Sequence, residues 1–150
     1  MRLITLLMLS VVLIGCEKEL PVFKGTPLER DGLFYAPNST EPLTADVEEY
    51  YESGALKGTF SLLAGAKQGL EQSWSKNGQL LAELTFLDGK HHGVAQRWTE
   101  SGRLYRKGTY LHGEAEGLVQ EWWLSDGHSE ICYKAGEKTD MSYCTEGKQP

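Results

Sequence analysis

Hydrophobic and polar positions alternate strictly through the middle of the chain. Leu70, Gln72 and Trp74 alternate with Glu71 and Ser73, and Leu80, Ala82, Leu84 and Phe86 alternate with Leu81, Glu83, Thr85 and Leu87. A period of two marks β-strands. The two runs are separated by Ser75-Lys76-Asn77-Gly78, and the second ends at Asp88-Gly89-Lys90. Asn-Gly and Asp-Gly supply the positive φ angles that tight turns require. The segment from Gly69 to His92 is therefore one hairpin and the turn that leads to the next.

The unit recurs. Trp74, Trp98 and Trp122 follow one another at 24-residue intervals, as do Gly54, Gly78 and Gly102, Gly65, Gly89 and Gly113, Gly69, Gly93 and Gly117, and Gln72, Gln96 and Gln120. Leu56, Leu80 and Leu104 keep the same step, and Tyr50 stands one step before Trp74. The fourth copy shifts its turn glycines to Gly127 and Gly136, as terminal units that cap an array are expected to do. The pattern predicts an all-β protein: an antiparallel meander of repeated hairpins. One hairpin cannot hide its aromatic residue alone, whereas stacked hairpins share a common apolar stripe. Tyr50, Trp74, Trp98 and Trp122, with Leu80 and Leu104, are the expected repeat core. Neighbours on a strand face opposite ways, so Trp123, Tyr105, Tyr51 and Leu81, together with Leu111, are placed on the second face. That face is either an interaction surface or is covered by Leu33-Phe34-Tyr35.

The stretches Tyr51-Glu52-Ser53-Gly54-Ala55-Leu56, Trp74-Ser75-Lys76-Asn77-Gly78-Gln79-Leu80 and Trp98-Thr99-Glu100-Ser101-Gly102-Arg103-Leu104 resemble the units of MORN-repeat variant proteins. The opening Arg30-Asp31-Gly32-Leu33-Phe34-Tyr35, followed by Pro42-Leu43-Thr44, resembles the subgroup of YwqK-type antitoxins. Ala45-Asp46 stand where that subgroup carries Gly. The resemblance spans about residues 30–140 and implies a repeat sheet. For function it implies an antitoxin-like role at most, because a fold does not fix a function.

The N-terminus has a different character. Met1-Arg2 is a short basic start, and Leu3 to Ile14 is almost wholly apolar. This run is well short of the ~20 residues that span a bilayer and has the form of a secretory leader. It ends in Leu13-Ile14-Gly15-Cys16, which resembles the lipobox of bacterial lipoproteins. That resemblance implies cleavage before Cys16 and acylation of its thiol and amine, and multiple acyl chains anchor stably. Glu17 follows where the resemblance places an inner-membrane retention Asp, so an outer-membrane anchor facing the periplasm is expected. The resulting organisation is a signal peptide over 1–15, helical or disordered, a tether over 16–29, a repeat domain over 30–145 and a tail over 146–150.

Export bears on the remaining cysteines. Cys132 and Cys144 form an even pair in an oxidising compartment, which favours a disulfide over two buried thiols. The formal charge is −6, and becomes −7 once Arg2, the only charged residue before Cys16, is removed. An acidic chain with no basic cluster argues against nucleic acid as partner.

Candidate chemistry is sparse. His91, His92, His112 and His128 share no ligand spacing, and in the repeat frame His112 matches Asp88 while His92 matches Glu116, so the imidazoles are not expected to stack and no metal is expected. Glu48-Glu49 and the pair Glu114 and Glu116 read as solvated carboxylates, and no serine sits in a nucleophile motif. The expected protein is a non-catalytic module without cofactor, anchored to a membrane and binding a protein partner. An antitoxin or immunity-like lipoprotein is one alternative, and an envelope glycan- or lipid-binding module or a hydrolase is another.

Overall fold

The computed structural model describes residues 19–123 and 127–145. The leader, the lipidation position Cys16 and the tail 146–150 lie outside the described residues. Twelve strands are described: β1 (Val22–Lys24), β2 (Leu28–Arg30), β3 (Leu33–Tyr35), β4 (Ala45–Tyr50), β5 (Leu56–Leu63), β6 (Ala66–Trp74), β7 (Leu80–Leu87), β8 (Lys90–Trp98), β9 (Leu104–Leu111), β10 (Glu114–Trp122), β11 (His128–Lys134) and β12 (Glu137–Thr139), followed by one short helix, α1 (Met141–Thr145). Ten of the strands form one sheet in the order β1-β4-β5-β6-β7-β8-β9-β10-β11-β12, and β2 and β3 form a separate hairpin. Every pairing from β4 to β12 is antiparallel between chain neighbours. The meander read from the alternation is the fold.

Two kinds of turn build each repeat. At one end, a four-residue turn is closed by Ser75 N–H donating to the Gln79 carbonyl, and the same bond recurs from Tyr51 to Ala55, from Thr99 to Arg103 and from Trp123 to Gly127. At the other end sit two-residue turns with both residues at positive φ: Ala64-Gly65, Asp88-Gly89, His112-Gly113 and Ala135-Gly136. These are the mirror-image turns whose twist matches that of the strands. Each of these turns also binds the unit before it. The N–H groups of Gly65, Gly89, Gly113 and Gly136 donate to the carbonyls of Leu43, Lys67, His91 and Ala115 at 2.7–2.9 Å. The 24-residue glycine period thus records hydrogen bonds between units as well as turns within them.

A third glycine series, Gly69, Gly93 and Gly117, has φ angles of 72°, 100° and 78° inside strands. Here β6, β8 and β10 carry extra residues: Thr59 and Ser61 pair with Gln72 and Gln68, so two steps on β5 face four on β6. The same shift occurs between β7 and β8 and between β9 and β10. Glycine is the residue that tolerates this backbone.

The core departs from the sequence expectation. The buried apolar residues are Ala45, Val47, Phe60, Leu62, Leu84, Ala95, Val119 and Cys132. Of the expected repeat core, Tyr50 is exposed at 42%, and Trp74, Trp98, Trp122, Leu80 and Leu104 are half-buried. The reason is layering. Val47, Phe60 and Leu62 pack with Phe23, Phe34 and Leu43, so a second layer covers one face of the sheet at its N-terminal end. By strand alternation the tryptophans lie on the opposite face, beside the four-residue turns, where no described strand forms a second layer. The two faces are here called the Phe60 face and the tryptophan face.

The expected tether is also revised. Val22–Lys24 pairs in parallel with β4, and Leu28–Arg30 pairs with β3. The unpaired edge of β4 offers backbone groups that a passing segment can satisfy, and Phe23 packs against the core from there.

Candidate functional site

The register across the sheet sorts side chains into rows. On the tryptophan face one row of paired positions runs Lys24, Glu48, Thr59, Gln72, Glu83, Gln96, Lys107, Gln120, Glu130, one residue from each of nine adjacent strands. Gln72 Nε2 donates to Glu83 Oε2 at 3.0 Å, and Gln120 Nε2 donates to Glu130 Oε1 at 2.7 Å. Lys24 Nζ and Glu48 Oε2 form an ion pair at 3.4 Å at the edge of the same row.

The Phe60 face is different. The corresponding row runs Glu49, Gly58, Ser73, Ala82, Arg97, Arg106, Glu121, Ser129. Its small residues Gly58 and Ser73 form the floor of a groove of about 320 Å³, walled by Glu49, Tyr51, Lys57, Phe60, Glu71 and Leu81. A wider hollow at the first four-residue turn shares Tyr51 and Lys57 and extends to Lys76. Tyr51 stands where the two meet. Its hydroxyl donates to the Trp74 carbonyl at 2.8 Å, and Lys76 Nζ lies 5.9 Å from its ring centre. Lys57, Leu81 and Tyr105 are the extra residues of three equivalent bulges, one per unit. A bulge re-aims a side chain, and two of these, Lys57 and Leu81, line the groove on the Phe60 face.

Further along the same face, an aromatic row crosses the strands. The Phe34 and Phe60 rings lie 6.0 Å apart, Phe86 and His91 4.4 Å, and His91 and Tyr110 5.5 Å. Lys67 Nζ sits 4.7 Å from the Phe60 ring centre and 5.1 Å from that of Phe86, and its charge is paired with Glu71 at 2.5 Å. Cation–ring attraction and an ion pair together hold this half-buried ammonium.

Of the four residues placed on an interaction face by sequence, the structure brings Tyr51 and Leu81 into one groove. Tyr105 is exposed at 37% and Trp123 at 50%, and neither lines that groove. Trp123 follows β10, and its carbonyl accepts from Arg103 at 2.6 Å. Cys132 and Cys144 form a disulfide with Cα atoms 6.0 Å apart, joining α1 to β11.

Two readings of charged side chains change. Glu116 is buried at 7% exposure. Its carboxylate accepts from the Ala135 N–H at 2.7 Å and from the Tyr143 hydroxyl. The Ala135 bond first, and then the tyrosine, lower its pKa, while the carboxylate raises that of Tyr143. His92 and His112, expected apart, have ring centres 5.1 Å apart. Both changes have one cause, a capping position the sequence reading missed. Residues 44, 68, 92 and 116 are equivalent in the repeat, and each stands beside the first residue of a two-residue turn. Thr44 Oγ1, Gln68 Oε1 and Glu116 Oε2 accept from the N–H groups of Ala64, Asp88 and Ala135. In the remaining unit His92 occupies the place, and its Nδ1 is buried with no hydrogen-bond partner. Among the described residues no cluster of three or more potential metal ligands occurs.

Residues 67–88 match the family model of the MORN repeat variant. The chain carries a MORN-type repeat. The match runs from β6 through the Ser75–Gly78 turn and β7 to Asp88, so it covers the unit whose geometry recurs in its neighbours. No curated protein and no solved structure matches the chain.

Proposed function

We propose that this MORN-type repeat sheet is a non-catalytic interaction module of the cell envelope, anchored by lipid on Cys16 and docking a protein partner on its Phe60 face. The observation that carries the reading is the groove on that face. Tyr51 and Leu81 stand half-buried over a floor of Gly58 and Ser73, while the corresponding row on the opposite face is polar throughout and pairs Gln72 with Glu83 and Gln120 with Glu130. Aromatic and aliphatic side chains in a concavity are the usual anchors of interfaces. A photo-crosslinking residue at Tyr51 should give a covalent adduct with one envelope protein, and the same residue at Leu70, exposed on the tryptophan face, should not. Equal adducts from both positions, or none from either, would refute the docking face. The anchor is tested separately: metabolic labelling with palmitate should be lost in Cys16→Ser. The likeness of residues 30–44 to YwqK-type antitoxins favours a second reading, in which the partner is a toxic enzyme. Survival on co-expression with a neighbouring toxin gene, lost on deletion of this chain, would select it.

A further inference from the structure

The Phe60 face carries a second hollow, of about 60 Å³, beyond the groove. Its floor is Ala95 and Gly108, both buried, and its rim is Arg97, Arg106, His91 and Tyr110. The small floor is enforced at one point: a Cβ on Gly108 would meet Val119 at 3.0 Å. Arg97 and Arg106 are direct cross-strand partners, an arrangement of like charges that weakens a sheet. Arg106 is held by Glu121 at 3.0 Å and donates to the Tyr110 hydroxyl at 3.4 Å. Arg97, exposed, makes no ion pair among the described residues. His91 Nδ1 is buried without a partner. Burial, and then the charge of Arg97, lower the His91 pKa, so this ring contributes a polar edge and not a second charge.

We propose that this hollow is a carboxylate-binding subsite of the docking face, receiving one acidic side chain of the protein partner. The proposal rests on the docking reading above and adds the chemistry of the partner. The charge count selects the ligand. With Glu121 neutralising Arg106, one guanidinium is uncompensated, which matches a monoanion and not a phosphate of about −1.5 to −2. At about 60 Å³ the hollow is far below the ~300 Å³ at which small-molecule sites begin, so it suits one side-chain head group and not a larger ligand. A planar guanidinium presents paired donors that fit a planar carboxylate. Bound there, the carboxylate would also relieve the repulsion between the two arginines.

The test uses the full-length chain, a hexaglutamate peptide and, in a second arm, inorganic phosphate, followed by chemical-shift changes in the nuclear magnetic resonance spectrum. Hexaglutamate should shift the amides of residues 95–97 and 106–108 and the Arg97 side chain, and Arg97→Gln should weaken its binding at least ~5-fold. Arg97 is exposed and repels Arg106, so Arg97→Gln should melt no lower than the wild type, and Arg97→Lys should recover only part of the affinity. Phosphate binding in place of hexaglutamate, or hexaglutamate shifts insensitive to Arg97→Gln, would overturn the proposal. Its failure is distinct from that of the docking reading: crosslinking at Tyr51 would persist without a carboxylate subsite, and hexaglutamate binding would persist without a partner at Tyr51.

Discussion

Gly65, Gly89 and Gly113 hold the same place in three successive turns, with φ angles of 80°, 78° and 96°. Replacing any of them by alanine imposes the same backbone strain, about 1–2 kcal/mol for a left-handed L-residue. What differs is the neighbourhood. A Cβ at Gly65 would lie 2.9 Å from the Pro42 Cβ, 3.1 Å from the Leu33 Cβ and 3.1 Å from the Phe34 carbonyl oxygen. At Gly89 and Gly113 the nearest atom is 3.8 Å away, an ordinary contact. The N-terminal layer therefore rests directly on Gly65, where the Phe34 N–H also donates to the Gly65 carbonyl at 2.9 Å. Overpacking of a tight contact adds about 1–3 kcal/mol. Gly65→Ala is thus expected to destabilise by about 2–5 kcal/mol in total, and Gly89→Ala by about 1–2 kcal/mol. Urea unfolding followed by tryptophan fluorescence measures both. With a slope of about 1–3 kcal/mol per molar, the midpoint of Gly65→Ala should fall on the order of 1 M below that of Gly89→Ala. Equal midpoints for the two variants would refute the claim that the Leu33–Leu43 layer is packed onto this turn.

Three further predictions test the C-terminal end and the capping series. The Glu116 carboxylate has a lowered pKa and Tyr143 a raised one, so their joint contribution to stability is fully present between the ordinary Glu and Tyr values. It is lost as pH falls through the folded-state value of Glu116 and as pH rises through that of Tyr143. Glu116→Gln should remove about 1–3 kcal/mol at neutral pH and flatten the acid side of the urea-midpoint profile, and an unchanged profile would contradict it. Gln at position 92 would supply the acceptor that Gln68 supplies to Asp88, so His92→Gln should raise the melting temperature by about 2–8 °C for a gain near 1 kcal/mol, and a lowered one would contradict the capping role. Reductant should destabilise the wild type by about 2–3 kcal/mol and leave Cys144→Ala unaffected, as measured by urea melts in each buffer, and a wild type indifferent to reductant would exclude the bridge.

The turns and strands were legible because each rests on a local requirement. Positive φ selects glycine at residues 65, 89 and 113, and the pleat selects the alternation across Leu80–Leu87. The choice of face was not legible. Leu80 and Leu81 are both apolar, as are Leu104 and Tyr105, so alternation there does not say which side is covered. The covering layer is supplied by Phe23, Phe34 and Leu43, distant in sequence and carried by strands of three residues or a loop. A parallel strand such as β1 leaves no hairpin signature behind it. The groove depends on the same unseen facts, because Tyr51 and Leu81 meet only once the bulges are in place. The caps at Thr44, Gln68 and Glu116 share no residue type, and only their common 24-residue step relates them.

The hydrogen bonds from each two-residue turn to the unit before it give the array a direction. Donors at Gly65, Gly89, Gly113 and Gly136 all reach backward along the chain, so a unit gains a bond when its successor arrives. Each hairpin added at either end thus gains one such bond, and length can change by whole units without disturbing those already laid down. At the far end α1 is fastened to β11 through sulfur and to β10 through Tyr143, so the last described unit is held by a cross-link as well as by hydrogen bonds.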